Sequence, residues 1–179
     1  MKKSLFALFL TVALALFLGT AQSMAKDFPS KPITYIIPFN PGGQSDVTAQ
    51  VQKADLKKLL GVPVIITYKP GAGGAVAWSQ LARSIKPDGY TICGNNIPHI
   101  ILQPLLRKDA GYKTEDLVPI VMFETTPIGL AVLKDKPWKT LKDFIESAKA
   151  NPGKITVGGC GKYTGHHITF LMLQKLAGI

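Results

Sequence analysis

Three glycine-rich stretches carry the residue types best suited to bind an anion. They read NPGGQSD (40–46), KPGAGGA (69–75) and GGCGKYTG (158–165). Each follows an apolar, strand-like segment and precedes a helical pattern. The N-terminus of a helix has backbone N–H groups without intrahelical partners and carries partial positive charge, and glycine lets a ligand approach the backbone closely. These turns therefore predict a site for one or two carboxylates that needs no charged side chain.

The glycines could also have a plainer role or bind a nucleotide. A single glycine turn often does no more than connect a strand to a helix. The dinucleotide pattern Gly-x-Gly-x-x-Gly fails at Val76 in the second stretch and at Thr164 in the third. A phosphate loop is also excluded, because Gly161 and Lys162 are followed by Tyr163.

Catalysis and metal binding are the alternative chemistries. Cys160 would lie near a helix N-terminus, with His166 or His167 as a base, but no third residue that would orient the base is visible. The simpler interpretation makes Cys160 a small turn residue and has the histidines cap or line the site. Adjacent histidines do not share a helix face, so we predict no metal site. We also predict no cofactor and no enzymatic activity.

The elements that must position these turns alternate along the chain. Apolar, β-branched runs at 33–39, 62–68 and 90–94 indicate strands. Between them, Ser45 or Asp46 is expected to cap a helix that Gly61 ends, although the macrodipole equally explains Asp46 in a first turn. Trp78, with Leu81, Ala82 and Ile85, marks the inner face of the next helix. Strands alternating with helices indicate an α/β fold with mostly parallel pairing.

The second half of the chain continues the alternation. The apolar stretch 118–133 predicts two strands that meet at a bend, and KITVG (154–158) predicts another. Thr140 is expected to cap a helix that NPG (151–153) ends, and Ile168, Leu171, Met172 and Leu176 mark a last amphipathic helix.

The N-terminus indicates export. MKK is followed by an apolar run from Leu5 to Leu18, about fourteen residues, and by small residues at Ser23 and Ala25. The run is shorter than the roughly twenty residues that cross a bilayer, so a cleavable signal peptide over residues 1–25 is preferred to a membrane anchor. We therefore predict a periplasmic protein.

Charge and cysteine content exclude further classes. The net charge is +10, or +8 without Lys2 and Lys3 of the leader. The lysines are scattered, without an arginine cluster or an aromatic platform, so nucleic acid is not the expected partner. Cys93 and Cys160 are the only cysteines, and free thiols are expected rather than a disulfide scaffold.

Five ordered blocks resemble the periplasmic receptors of the tripartite tricarboxylate transporters, the Bug or TctC-like family. They are FPSKPITYIIPFNPGGQSD, KPGAGGA, KPDGYTI, TLKDFIESAKANPGKITVG and HHITFLMLQKLAGI, and the resemblance runs from about Phe28 to Ile179. It implies a two-lobed α/β fold of the type II periplasmic-binding-protein kind. It also implies a receptor that closes on a small carboxylate and presents it to membrane permease subunits.

The resemblance also implies the binding residues. Loops of the first lobe, matching 39–46 and 71–74, would meet the start of the helix matching 164–166 in the second lobe, and the asparagine pair would face the ligand. The residues expected to bind are Phe39, Pro41, Gly42, Gly43, Ser45, Asp46, Gly73, Gly74, Asn95, Asn96, Thr125, Gly161, Thr164 and His166. Cys160 and Lys162 depart from the small or hydroxyl residues usual at their positions.

Receptors of this family are about twice as long as this chain. We therefore expect a signal peptide (1–25), an incomplete first α/β lobe (26–121) and the start of a second lobe (122–179). Two hypotheses follow. Either the chain is a carboxylate receptor, or it is a truncated product with no binding competence of its own or a half that needs a complementary second-half chain.

Overall fold

The computed structural model describes residues 28–179, so the predicted signal peptide lies outside the described residues. Lys31–Ile179 form one compact unit. Its strands are β1 (Ile33–Ile37), β2 (Val64–Tyr68) and β3 (Thr91–Cys93). Its α-helices are α1 (Gln44–Leu60), α2 (Ala75–Ser84), α3 (His99–Leu106), α4 (Leu141–Ala150) and α5 (Gly165–Ala177). Two single 3-10 turns, Ala72–Gly74 and Thr114–Asp116, complete the elements of this unit.

The sheet is parallel, with β1 in the centre and the order β2-β1-β3. Ile33 pairs with Val64 and Thr34 with Thr91. A parallel sheet with helical connections is covered on both faces, and β1 is accordingly almost wholly buried. The carboxyl ends of the three strands lie at the same edge, where the first two glycine turns and the asparagine loop follow them.

Two apolar clusters hold the helices to the sheet. One consists of Ala75, Trp78, Ala110, Tyr112 and Leu117. The other consists of Tyr35, Ile37, Ala49 and Val64 and lies beneath α1. The side chain of Trp78 is fully buried, and its indole N–H donates to the carbonyl oxygen of Gly94 at 2.9 Å. These contacts place α2 and the end of β3 in a single rigid arrangement.

Helix boundaries test the capping predictions. Gly61 ends α1 in the left-handed conformation, as predicted. Thr140 caps α4 as predicted, because its hydroxyl accepts from the Asp143 N–H at 3.2 Å while the Asp143 carboxylate accepts from the Thr140 N–H at 2.9 Å. The predicted cap of α1 at Ser45 or Asp46 is wrong. Gly43 is the N-cap residue, with no side-chain cap, and the Asp46 side chain turns back to the preceding loop.

The strands predicted in the second half are absent from the described residues. Residues 118–133 and 154–158 run without regular secondary structure. Their apolar sequence favours an extended backbone, but a strand also requires a hydrogen-bonded neighbour, and none lies beside them in the described part. The side chains at the start of the first segment stay exposed: Val118 is 85% and Met122 77% accessible.

The predicted boundary between two lobes at residues 121 and 122 falls within this extended stretch and stays a prediction. Within residues 28–179, no helix combines the length and apolar character needed to cross a bilayer.

Candidate functional site

The first glycine turn is closed by an acidic side chain. The Asp46 carboxylate accepts hydrogen bonds from the Gly42 N–H at 2.7 Å, the Tyr68 hydroxyl at 2.8 Å and the Gln50 amide at 3.1 Å. The bond from the Gly42 N–H, followed by that from Tyr68, lowers the pKa of Asp46. Asp46 therefore accepts the hydrogen bond of the Gly42 N–H, a group that was predicted to bind a ligand. The observed role of Asp46 is to shape the loop.

Other backbone donors of this turn point outward from the start of α1. The N–H groups of Asp46 and Val47 bond to the carbonyl of Gly43. The amides of Gln44 and Ser45 in the first turn have no carbonyl of the helix to bond with, by helix geometry. Pro41, Gly42 and Gly43 are exposed beside them. The first turn of α1, rather than Gly42, therefore has backbone N–H groups without an intrahelical partner.

The second glycine turn needs its glycines for two separate reasons. Gly71, Gly73 and Gly74 have positive φ angles of 140°, 65° and 99°, a region that favours glycine. In addition, a Cβ on Gly74 would overlap the Trp78 ring, and a Cβ on Gly73 would lie 2.5 Å from the Gln103 amide nitrogen. Glycine is therefore required here by packing as well as by backbone conformation.

The third turn folds against the second. A Cβ placed on Gly161 would lie 3.3 Å from the Gly73 Cα, so the two backbones touch. The buried Thr164 hydroxyl donates to the Gly161 carbonyl at 2.7 Å and does not cap α5, which it precedes. The N–H groups of the first turn of α5 are consequently left without a side-chain cap. The predicted meeting of the second and third turns is observed.

A buried glutamine joins these turns to α3. Gln103 is fully buried, and its Nε2 donates to the carbonyl oxygen of Lys162 at 2.8 Å. Arg107, one turn further along α3, donates from Nη1 to the carbonyl of Ala72 and to the Gln103 side-chain oxygen, both at 3.2 Å. Gln103 was not predicted from the sequence. The available signal was a single amide within the apolar helical run HIILQPLL.

The asparagine loop and the start of α3 line the same region. Asn95 is exposed, and Asn96 is partly buried with a side-chain oxygen that has no hydrogen-bond partner among the described residues. The His99 ring packs edge-on against Phe39 at a centroid distance of 5.8 Å, bringing the first turn to α3. Burial, and then the nearby His166, lower the pKa of His99 to about 4, so His99 is neutral at pH 7.

Cys160 of the third turn completes this cluster. Its Sγ lies 2.9 Å from His166 Nδ1 and 3.7 Å from His99 Nε2. Of the two histidines predicted as neighbours of the thiol, His166 is the one in contact, whereas His167 accepts the Tyr163 N–H at 3.2 Å. No group of three or more histidine, cysteine or acidic residues suited to a metal is found among residues 28–179.

Thr125 lies in the exposed stretch that follows Leu117. Its neighbour Glu124 accepts hydrogen bonds from the Gln44 amide and the Thr48 hydroxyl, both at 2.7 Å. Hydrogen bonds from Thr48, then Thr126 and Gln44, lower the pKa of Glu124. Residues 124–126 therefore contact Gln44 of the first glycine turn and the start of α1, through the side chains on either side of Thr125.

The parallel sheet and its helical connections define the class of protein as α/β. Three solved or curated relatives are similar to it. The chain is 38% identical over 169 residues to a UPF0065 protein from the gbd 5' region of Cupriavidus necator, covering 94% of this chain and 51% of that protein. An R. palustris protein with adipate superposes with a TM-score of 0.80 at 25% identity, covering 86% of this chain and 51% of the other. MatC from Rhodopseudomonas palustris with bound malate gives a TM-score of 0.70 at 25% identity, covering 85% and 52%.

The TctC family model, described as the tripartite tricarboxylate transporter family receptor, matches residues 47–179. The chain belongs to this family. Its members are periplasmic solute-binding receptors and not enzymes, so the resemblance, the fold class and the expectation that the protein is not an enzyme are confirmed. The chain spans about half the length of the relatives it matches.

Proposed function

We propose that this chain captures a small organic carboxylate at the place where its glycine turns meet. The observation that carries the proposal is the contact between Gly73 and Gly161, which brings the N-terminus of α5 to that of α2. Two helix N-termini in contact present several N–H donors and partial positive charge to one small volume. A carboxylate is the anion that this arrangement suits without a charged side chain.

The binding set that we propose follows this geometry. It contains the outward amides at the start of α1, the second and third turns, and the asparagine loop. The unpartnered Asn96 side-chain oxygen suits a hydroxyl or a protonated group of the ligand, since a buried acceptor gains from a donor. The proposed residues are Phe39, Pro41, Gly43, Ser45, Gly73, Gly74, Asn95, Asn96, Gly161, Thr164 and His166. Gly42 and Asp46 shape the loop, and Thr125 lies near the predicted passage of the chain from the first lobe into the second.

We infer that the ligand is a dicarboxylate or tricarboxylate. The solved relatives with adipate and with malate support this class. Two separated carboxylates can each reach a different helix N-terminus. By family membership we further propose that residues 1–25 direct export to the periplasm, and that the loaded receptor delivers its ligand to the membrane permease subunits of a tripartite tricarboxylate transporter.

A second candidate rests on the exposed apolar stretch 118–133, where Val118, Ile120, Val121 and Met122 are each more than 70% accessible. Apolar patches of this kind mark surfaces that another polypeptide covers. We propose that binding is completed when polypeptide equivalent to the second half of the relatives packs here, whether covalently joined or as a complementary chain.

The test is a thermal melt of the full chain with increasing adipate or malate, using 1,6-hexanediol as an uncharged control. A ligand that binds the folded state raises the melting temperature saturably. Asn96→Asp should abolish the rise by placing a like charge at the site, whereas Gln174→Glu, the same change of amide to acid on the far turn of α5, should not.

A flat melting temperature for the chain alone would reject the first candidate. The second half of the Cupriavidus necator relative would then be added. A saturable response that appears only in its presence supports the second candidate, and no response in either case rejects both.

A further inference from the structure

Cys160 opens onto a cleft that borders the proposed carboxylate site and shares His166 with it. The cleft has a volume of about 470 Å³ and lies between the extended residues 129–133, α4 and the segment 155–160. Cys160 and His166 line one end of it. The thiol is exposed, so a small molecule in the cleft can reach its sulfur directly.

Two histidines from different elements face the same sulfur. His166 Nδ1 lies 2.9 Å from Sγ and His99 Nε2 lies 3.7 Å from it. His99 is only 7% exposed, and its Nδ1 has no hydrogen-bond partner among the described residues. The sulfur is therefore the polar contact available to this buried ring. A neutral His99 that donates through Nε2 leaves His166 to accept the thiol proton.

We propose that Cys160 is a modification site that exchanges with a small disulfide entering this cleft. His166 takes the proton from Cys160 Sγ, and the sulfur attacks one sulfur of the disulfide. A new S–S bond forms to Cys160 as the original S–S bond breaks, and the departing thiolate takes the proton from His166. The number of S–S bonds is unchanged: Cys160 Sγ passes from the thiol to the disulfide level as the departing sulfur passes from the disulfide to the thiol level, so no further oxidant is needed.

The lining of the cleft indicates which disulfide fits. Leu130, Val132, Trp138 and Phe144 supply an apolar wall, and Lys136 supplies an amine. A disulfide that carries a carboxylate suits the Lys136 amine. Glutathione disulfide has carboxylates and is the probe we choose.

The consequence for binding rests on the proposed function. Cys160 immediately precedes Gly161, which touches Gly73. A mixed disulfide at Cys160 would occupy space beside the two helix N-termini and prevent a carboxylate from entering. Formation of the mixed disulfide at Cys160 would in this way prevent carboxylate binding, and reduction of that disulfide would restore it.

The experiment measures adduct formation on the full chain by intact and peptide mass spectrometry after mixing with glutathione disulfide at pH 7. Cys93 is the internal reference, since burial raises the pKa of its thiol to about 12. We expect Cys160 to react at least tenfold faster than Cys93 and than free glutathione. His166→Gln should slow Cys160 at least tenfold, while His167→Gln, which keeps both contacts to the sulfur, should not.

The pH of the reaction separates proton transfer from a structural effect. At pH 9.5 solvent base removes the thiol proton, so the deficit of His166→Gln should shrink towards the wild-type rate if His166 acts as the base. A deficit that persists at pH 9.5, or a wild-type Cys160 no faster than free glutathione, overturns the proposal. Fast modification without any carboxylate binding leaves this proposal standing and rejects the receptor function of the chain alone.

Discussion

The side-chain amide of Gln103 donates a 2.8 Å hydrogen bond to the carbonyl oxygen of Lys162, 59 residues further along the chain. This bond joins α3 to the third glycine turn. That turn belongs to the segment that we expect to start the second lobe. Gln103 is fully buried, whereas Lys162 is exposed, so the bond is partly buried. The position of the third turn beside the second depends on it.

Replacing Gln103 by glutamate should destabilise the protein. Glutamate keeps the side-chain length and an oxygen for Arg107, but it cannot donate to Lys162 and brings a carboxylate against a carbonyl. Leaving the buried side chain at position 103 without this hydrogen bond costs about 1–3 kcal/mol. Urea unfolding should show at least this loss in the free energy of unfolding. Gln174→Glu serves as the control, and an equal loss in both variants would contradict the assigned role.

Gly73→Ala should cost more than backbone strain alone. The control is Gly153→Ala, because Gly153 has a similar φ of 71° and open space around it. The control should lose about 1–2 kcal/mol from the left-handed conformation. Gly73→Ala should lose about 1–3 kcal/mol more, since its Cβ would meet the Gln103 amide and Thr164. Chemical unfolding of the pair measures the difference, and identical losses would mean that the turns do not touch.

Asp46→Asn should lower the melting temperature at pH 7, because an amide cannot accept all three hydrogen bonds that Asp46 receives. The lowered pKa of Asp46 means that its stabilisation is complete above the unfolded pKa of about 3.8 and is lost as pH falls through the folded value. The variant should therefore lose less stability than the wild type below pH 4. Asp55→Asn, on the exposed part of α1, should keep the wild-type pH dependence; if it flattens the curve equally, Asp46 is not its source.

His99→Gln should reduce the sensitivity of the protein to mild acid. The pKa of His99 falls from 6.5 to about 4 on folding, so the unfolded chain binds the proton more readily. Stability is complete above pH 6.5 and decreases as pH falls towards 4. Glutamine cannot titrate, and its Nε2 can still face Cys160. Thermal melts between pH 7 and pH 4 should be flatter for His99→Gln than for His167→Gln, and parallel curves would show that His99 does not titrate in this range.

Much of the first lobe follows from local sequence. The order of strands, turns and helices from Ile33 to Cys93 was predicted, because strand propensity, helical spacing and the preference of turns for glycine act over a few residues. The same local rules also predicted strands at 118–133 and 154–158, where the described residues form none. A strand depends on a neighbour that sequence periodicity does not supply, and the structure shows none beside these segments among the described residues.

The candidate site divides in the same way. Local sequence was sufficient to show that glycine turns precede helices, and so that backbone donors would be available to an anion. Three further features came from the tertiary fold: Gly73 touches Gly161, Asp46 closes its own loop, and Gln103, His99 and Cys160 converge on the third turn. The contacts to the third turn join residues that are far apart along the chain. They arise because the start of α5 meets the start of α3, an arrangement that no spacing within a single element encodes.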